Sequence, residues 1–384
     1  MIVRYLALTP LLAVMTFVSC AEPPKGVIDW EAVAETITQR MSLQSGERVL
    51  LLGRAGQFDD LVPSLRAAVQ AAGAVDLGAL SVSSERFAGS VSPFLTLAET
   101  GDRAALKELF RDVDIAVMLP GAALSDPAYA AMQDLLGEGH GRTIHFHWSG
   151  AYDLNGNAIA VTDVVSAAYQ TALLETDYAA LSASQEFFES SARGEEIHVT
   201  TPRGTDIRFR IGNRPVTKQD GDASAQRATL ARNLIDREIE LPAGAIRVAP
   251  LEDTVEGTIA FPPSVWNGET VEGLKMYFKR GKVVRVEANR GLAAVEAELD
   301  GAGTAGRSFR EFALGFNPLL AIPDADAWIP YYGYGAGVVR LSLGDNSELG
   351  GTVSGGYVRW NFFTDATVTV GGNTWVEDGQ LLSR

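Results

Sequence analysis

The feature that most constrains the fold is a change of hydrophobic pattern near Arg193. Between residues 27 and 188, continuous apolar runs such as residues 49–52 and 115–119 alternate with amphipathic stretches such as residues 61–72. Continuous apolar strands separated by helices are typical of a parallel sheet covered on both faces. We therefore expect an α/β domain over residues 27–193, which ends in one long helix from residue 164 to about residue 189.

Beyond Arg193 the apolar runs are short and bounded by turns. Residues 206–211 and 275–278 are examples, and Gly281 leads into residues 283–286 as in a β-hairpin. Residues 292–299 predict a helix. This half indicates an antiparallel, partly closed sheet. The expected fold class is therefore α/β, a parallel-sheet N-terminal domain followed by a β-rich antiparallel domain over residues 194–384.

Composition narrows the classes of function. The 384 residues include 32 basic and 48 acidic side chains, a net charge of -16 at pH 7. Such a chain repels phosphate backbones, so we expect no nucleic-acid partner. One cysteine excludes a disulfide framework and a cysteine-based zinc cage, and only four histidines are present.

The position of that cysteine predicts a lipoprotein. Arg4 and an apolar stretch over residues 5–18 have the order of a signal peptide, and this stretch is shorter than the about 20 residues of a membrane-spanning helix. Ser19 directly precedes Cys20, which resembles a bacterial lipoprotein cleavage site, although Phe17 stands where that pattern prefers Leu.

These residues predict a signal peptide over residues 1–19 and a tether over residues 20–26. The mature protein would then lie in the bacterial cell envelope, facing the periplasm or the outer surface, and lipid on Cys20 would hold it to the membrane. An ordinary signal peptide with an incidental cysteine is the alternative.

His145 and His147 form a candidate metal pair, because residues i and i+2 of a strand point to the same face. A metal site normally needs a third protein ligand, for which Asp153 and Asp163 are nearby. The alternative is a pair at a strand end that is hydrogen-bonded to neighbouring backbone.

Several motifs of the second half occur in an order that resembles the thermophilic aminopeptidase family, which includes aminopeptidase T and leucyl aminopeptidase. The most specific is Glu311-Phe312-Ala313-Leu314-Gly315-Phe316-Asn317-Pro318. The others are Gly204-Thr205-Asp206, residues 250–257, Arg340-Leu341-Ser342-Leu343-Gly344 and Arg359-Trp360-Asn361. An iron-dependent dihydroxypyridine dioxygenase is among the family's relatives. The resemblance implies an aminopeptidase T-like fold and a homodimer.

Carried over residue by residue, the resemblance implies a metal site that has lost most of its ligands. Glu311 retains a ligand position and is the candidate catalytic residue. Ala245 stands at the position of another ligand glutamate, and Arg340 and Arg359 stand at histidine positions. Asn361 replaces an aspartate. Since an arginine has no lone pair to give a metal, we expect no metal or other cofactor.

The favoured interpretation is a non-catalytic relative whose cleft binds a small anionic or peptide ligand. Arg340, Arg359, Asn361 and Glu311 would line that cleft. With two arginines and one carboxylate, we expect a net positive pocket in which the ligand lies between the two guanidiniums.

Two other interpretations stay open. One is an active aminopeptidase with a zinc or cobalt pair, held by unrecognised ligands such as Glu252, Asp253, Glu311 and Asp345. The other is a purely structural envelope lipoprotein. Metal content separates the first alternative from the favoured interpretation, and a polar concave cleft separates the second.

The lipid anchor is directly testable. Cys20→Ser should remove the thiol that carries the lipid, so the variant should accumulate unprocessed or be released in soluble form. Membrane fractionation and the mass of the N-terminal peptide measure this. A variant that fractionates like the wild type would show that the lipoprotein interpretation is wrong.

Overall fold

The structure is a computed structural model that describes residues 28–383. The expected signal peptide, the tether over residues 20–26 and Cys20 lie outside the described residues. The helices are α1 (Trp30–Met41), α2 (Leu61–Ala71), α3 (Pro93–Thr100), α4 (Arg103–Leu109), α5 (Pro127–Gly137), α6 (Asp163–Glu175), α7 (Tyr178–Ala192), α8 (Ala225–Thr229), α9 (Leu292–Gly301) and α10 (Gly303–Gly306).

The strands are short and most of them follow Arg193. They are β1 (Arg48–Gly53), β2 (Val75–Ser81), β3 (Ile115–Met118), β4 (Arg142–Phe146), β5 (Glu196–Thr200), β6 (Asp206–Arg210), β7 (Thr217–Lys218), β8 (Glu238–Leu241), β9 (Ala245–Val248), β10 (Glu256–Ala260), β11 (Ser264–Trp266), β12 (Glu269–Val271), β13 (Lys275–Lys279), β14 (Lys282–Glu287), β15 (Phe309–Gly315), β16 (Val339–Gly344), β17 (Val358–Arg359), β18 (Phe362–Phe363), β19 (Thr367–Val370), β20 (Asn373–Glu377) and β21 (Gln380–Leu381).

A parallel sheet with strand order β2-β1-β3-β4-β8 organises the first half. Strand β1 shows why both faces are covered. Its side chains alternate between two cores: Val49 and Leu51 pack with residues of α1 and α2, and Leu50 and Leu52 pack with residues of α3, α4 and α5. The expected parallel sheet between helices is therefore confirmed.

Two antiparallel sheets organise the second half, in the strand orders β14-β13-β10-β6-β5-β19-β20-β21 and β17-β16-β15-β9-β7, with β18 also paired to β16. The sheets share a core, since the ring centroids of Phe209 on β6 and Phe312 on β15 are 5.4 Å apart. The β-rich antiparallel part is likewise confirmed.

Strand β8 connects the two halves. It lies beyond residue 193, yet it pairs in parallel with β4, with Ile239 opposite Ile144. The two domains expected from the sequence therefore share a strand. Only three residues separate the end of β8 at Leu241 from Ala245, which begins β9 of an antiparallel sheet. Side chains of β4, β8 and β9 are thereby brought close together.

The single long helix expected from residue 164 to about residue 189 is in fact two helices. Thr176 adopts an extended conformation (φ -60°, ψ 126°) and ends α6. The carboxylate of Asp177 then accepts a hydrogen bond from the backbone N–H of Ala180 and caps α7. An aspartate stabilises a helix N-terminus better than a helix interior, which accounts for the break at this position.

The buried pair Arg142–Glu47 gives a test of the first half. Arg142 is 4% exposed and donates two hydrogen bonds of 2.8 Å to the Glu47 carboxylate. Arg142→Met should lower the free energy of unfolding by about 3–5 kcal/mol, because it leaves a largely buried carboxylate without its partner. Denaturant unfolding measures this change.

Arg290→Met is the matched control, because Arg290 and Glu272 form an ion pair with 62% and 50% of their side chains exposed. We expect a loss of less than about 1 kcal/mol there. Equal losses in the two variants would contradict the importance of the Arg142–Glu47 pair.

Candidate functional site

The candidate site lies on one face of β9, β15 and β16. Ala313 on β15 stands opposite Arg247 on β9 and Arg340 on β16, and Glu311 stands opposite Ser342. Because alternate residues of a strand share a face, these polar side chains lie on the same side of the sheet.

Glu311 is at the centre of this face and is completely buried. Its Oε2 accepts hydrogen bonds from Nε and Nη2 of Arg247 at 3.2 and 3.1 Å. Its Oε1 accepts one from Ser342 Oγ at 3.1 Å and lies 2.9 Å from Arg340 Nε. Burial by itself would raise the pKa of Glu311, but the surrounding guanidiniums hold that pKa well below its usual value.

Two further arginines lie close to Glu311 that the sequence did not indicate. Arg247 is on β9, two residues after Ala245, and thus on the same face of that strand. The register shift of β15 between Phe309 and Glu311 brings Arg310 Nε to 3.7 Å from Glu311 Oε2. The i, i+2 spacing from Ala245 could have indicated Arg247, whereas the position of Arg310 depends on the irregularity in β15.

Carboxylates balance these guanidiniums. Glu348 accepts hydrogen bonds from Arg247 and Arg310, and Glu240 Oε1 on β8 lies 3.9 Å from Arg247 Nη1. Three buried arginines thus face three glutamates, counting Glu311. These carboxylates come from distant elements that the sequence did not indicate. As a result, the net positive pocket expected from Arg340 and Arg359 is not found among residues 28–383. We refer to Arg247, Arg310, Arg340, Glu240, Glu311 and Glu348 as the arginine–glutamate cluster.

Arg359 does not join that cluster, so the expected pairing of Arg340 and Arg359 around one ligand is not found. Arg340 is 2% exposed, and its Nη1 donates to the carbonyl of Tyr332 at 3.1 Å. Arg359 donates to Glu298 Oε1 at 2.8 Å and stacks 3.5 Å from the centre of the Trp266 ring.

A small pocket lies beside Arg359. Its volume is about 40 Å³, and Arg359, Asn361, Asn155 and Asn157 provide polar groups in its lining, with Trp360 among its apolar members. Asn361 Oδ1 accepts a hydrogen bond from Arg359 Nε at 3.3 Å, while its Nδ2 donates to the carbonyl of Leu341. Two of the predicted ligand-binding residues therefore meet at a pocket, whereas Arg340 and Glu311 lie outside its lining.

The histidine pair on and just after β4 lies near Tyr129 and Glu238. His145 Nδ1 lies 3.3 Å from the Tyr129 hydroxyl, and His145 Nε2 lies 3.5 Å from Glu238 Oε1. Burial lowers the pKa of both His145 and His147. Within residues 28–383, no three His, Cys, Asp or Glu side chains are arranged so that they could hold a metal ion.

The alternative carboxylate ligands occupy other positions. Glu252 accepts hydrogen bonds from Thr352 and Asn346 and is paired with Arg214. Asp345 accepts them from the backbone of Ser347, Gly355 and Gly356. Asp345 thus stabilises a local turn, whereas Glu252 connects its own segment to the loop that contains Asn346 and Thr352. No contact between Glu252, Asp253 or Asp345 and Glu311 is found in the described part of the chain.

One protein-family model matches part of this chain. Residues 170–321 match the thermophilic metalloprotease family (M29). That stretch includes the whole motif from Glu311 to Pro318, so the resemblance to the thermophilic aminopeptidases is confirmed. No curated protein matches the chain by sequence.

Solved structures show the same fold. The 2,5-dihydroxypyridine dioxygenase from Pseudomonas putida KT2440 has a TM-score of 0.65 at 15% identity, over 94% of this chain and 99% of that one. Wild-type AmpT from Thermus thermophilus has a TM-score of 0.54 at 16% identity, over 92% of this chain and 99% of that one. The aminopeptidase T-like fold is confirmed by these similarities.

Glu238 gives the site a testable pH dependence. Burial raises the pKa of Glu238 to about 8, although Gln133 donates a hydrogen bond to it. The folded protein therefore keeps a proton that the unfolded chain releases near pH 4.5. Between these two values the contribution of Glu238 to the free energy of unfolding should fall as the pH rises, by at most about 1.4 kcal/mol per pH unit. His145 and His147 contribute in the opposite direction around pH 6.5, because burial lowers their pKa.

Glu238→Gln should reduce this slope, because an amide does not titrate. Denaturant unfolding at several pH values between 5 and 8 measures the slope, and the exposed Glu269→Gln is the control that should keep it. An unchanged slope in Glu238→Gln would show that Glu238 does not hold the proton.

Proposed function

We propose that this chain is a metal-independent relative of the thermophilic aminopeptidases that binds a small anionic ligand in the bacterial envelope. The observation that carries the proposal is the position of Glu311, whose two carboxylate oxygens face the guanidiniums of Arg247 and Arg340. These groups occupy the face where the family resemblance puts the metal ligands.

The residues present do not fit a pair of divalent metal ions. A metal needs lone pairs from carboxylates or imidazoles, and a guanidinium has none to give. In the arginine–glutamate cluster, both Glu311 oxygens are already engaged by cationic or hydroxyl donors. Adding metal cations there would place them against three buried arginines, which is electrostatically unfavourable.

The pocket beside Arg359 supports the binding of an anion. Arg359 uses one N–H each for Asn361, Glu298 and the carbonyl of Val265. Arg359 also interacts with the Tyr357 hydroxyl, and since a guanidinium has five N–H groups, at least one remains for a ligand. A volume of about 40 Å³ suits a group no larger than a carboxylate or a few waters. The end of a peptide or a small carboxylate is therefore the ligand that we propose.

The envelope location rests on the sequence of residues 1–26, with the anchor on Cys20. No helix within residues 28–383 is both long and apolar enough to cross a membrane. A lipid on Cys20 is the attachment that we propose.

An active metal-dependent aminopeptidase is the second candidate. The match of residues 170–321 to the thermophilic metalloproteases favours it, because that family's name describes a metal-dependent protease. In this alternative, Glu311 would be a metal ligand and the arginine–glutamate cluster would have to open.

Metal and peptidase measurements on the full-length protein distinguish the two candidates. We expect less than about 0.1 equivalent of bound zinc, cobalt or iron, and no release of amino acids from a panel of peptides when these metals are added. One equivalent of firmly bound metal together with hydrolysis, both lost in Glu311→Ala, would overturn the proposal.

Ligand binding is tested by calorimetry with acetate and short peptides. Arg359→Met should weaken binding about tenfold, which corresponds to about 1.4 kcal/mol for one charge-assisted contact. The control is Arg290→Met, an exposed arginine outside the pocket lining. Binding that is insensitive to salt or equal in the two variants would contradict a role for Arg359.

A further inference from the structure

A second, larger concavity lies between α7 and the C-terminal strand. It has a volume of about 760 Å³ and is bounded by α7, by the segment 316–319 after β15, and by Trp375 with residues 381–383. We call it the α7 groove. It shares no lining residue with the pocket beside Arg359. Its size is within the range of pockets that hold small molecules.

The walls of the α7 groove are apolar and partly open to solvent. Phe187 is 49% exposed, Leu319 is 37% exposed, and both line the groove. The Phe187 ring centroid lies 5.3 Å from that of the mostly buried Trp375. Large apolar side chains that are exposed around one concavity indicate a binding surface, whereas scattered single ones do not.

The face of α7 that lines the groove carries short side chains. Ala180, Ala183 and Ser184 are small and exposed, and the last two follow Ala180 by three and four residues, so they lie on the same side of the helix. A larger side chain at any of them would project into the groove. The free volume therefore depends on these short side chains.

One end of the groove is fixed by the break between α6 and α7. Asn317 is completely buried, and its Nδ2 donates to Thr176 Oγ1 and to the carbonyl of Ala243, both at 2.8 Å. Its Oδ1 accepts from the backbone of Leu319 at 2.9 Å. These contacts hold the apolar wall at Leu319 against the helix break.

The charge at this end is negative. Glu175 and Asp177 line the groove, and none of the described lining residues is basic. Asp177 caps α7 and thus partly offsets the positive helix N-terminus. Glu175 has no ion pair within residues 28–383. An apolar groove with an unpaired carboxylate at one end is complementary to a molecule with an apolar chain and a cationic end.

We propose that the α7 groove binds a small cationic amphiphile, a molecule with an apolar chain and an amine. The chain lies against Phe187, Leu319 and Trp375, and the ammonium group pairs with Glu175. This site is independent of the ligand proposed at Arg359.

A set of probes with the same eight-carbon chain tests the proposal by calorimetry on the full-length protein. Octylammonium should bind at least fivefold more tightly than octanol, and octanoate should bind most weakly because Glu175 and Asp177 repel it. Ala183→Trp should weaken octylammonium binding at least tenfold by filling the groove. Glu175→Lys should reverse the preference between octylammonium and octanoate.

The matched controls are Ala104→Trp on the exposed surface of α4 and Glu269→Lys on β12, both outside the groove. Each should bind octylammonium like the wild type. If octanoate binds as tightly as octylammonium, or Ala183→Trp binds normally, the proposal is wrong.

Two further outcomes would identify a different occupant of the α7 groove. Self-association in sedimentation that Ala183→Trp abolishes, without octylammonium binding, would show that a second copy of this chain covers the groove. Octylammonium binding that appears only after residues 1–27 are removed would show that the chain's own segment fills it. Either result would overturn the amphiphile site and leave the Arg359 measurements unaffected.

Discussion

The central constraint in this structure is the burial of the Glu311 carboxylate. An ionised carboxylate withdrawn from water is unfavourable by several kcal/mol unless charges and hydrogen bonds replace its hydration. Here Arg247, Arg340 and Ser342 provide that replacement, and Glu348 and Glu240 in turn balance the guanidiniums. The cluster is therefore interdependent, because removing one charge leaves another buried without its partner.

The same cluster explains why the two halves of the protein fit together. Glu240 comes from the parallel sheet through β8, whereas Arg247 follows on β9 of an antiparallel sheet. The Tyr334 hydroxyl also donates a hydrogen bond to Glu240, which adds a contact from a third part of the chain. Charge complementarity across the two sheets thus accompanies apolar packing at their junction. Shifting β8 by one residue would turn Glu238 and Glu240 to the opposite face and remove this balance.

The fold and the chemistry of the site lead to different conclusions about function. The match over residues 170–321 supports the resemblance to the thermophilic metalloproteases, and the similarity to AmpT and the dioxygenase shows the fold. A fold can host unrelated activities, so the activity has to be argued from the side chains present. Guanidiniums can bind anions and neutralise charge, but they cannot act as metal ligands. On that basis we propose the pocket beside Arg359, rather than a metal centre, as the site of the anionic ligand.

The sequence by itself determined the parallel-sheet first half, the β-rich antiparallel second half and the succession of most strands. Hydrophobic periodicity carries such information because it is local. Several motifs that occur in the family's order likewise indicate the resemblance to that family. The tertiary structure decided which charges meet. Arg247 and Glu348 are 101 residues apart along the chain, yet they lie within 3.1 Å. The sequence placed Arg359 beside Arg340, but Glu298 and Trp266 draw its guanidinium elsewhere. Ion pairs between distant strands depend on register and on the shift in β15, and local patterns do not encode them.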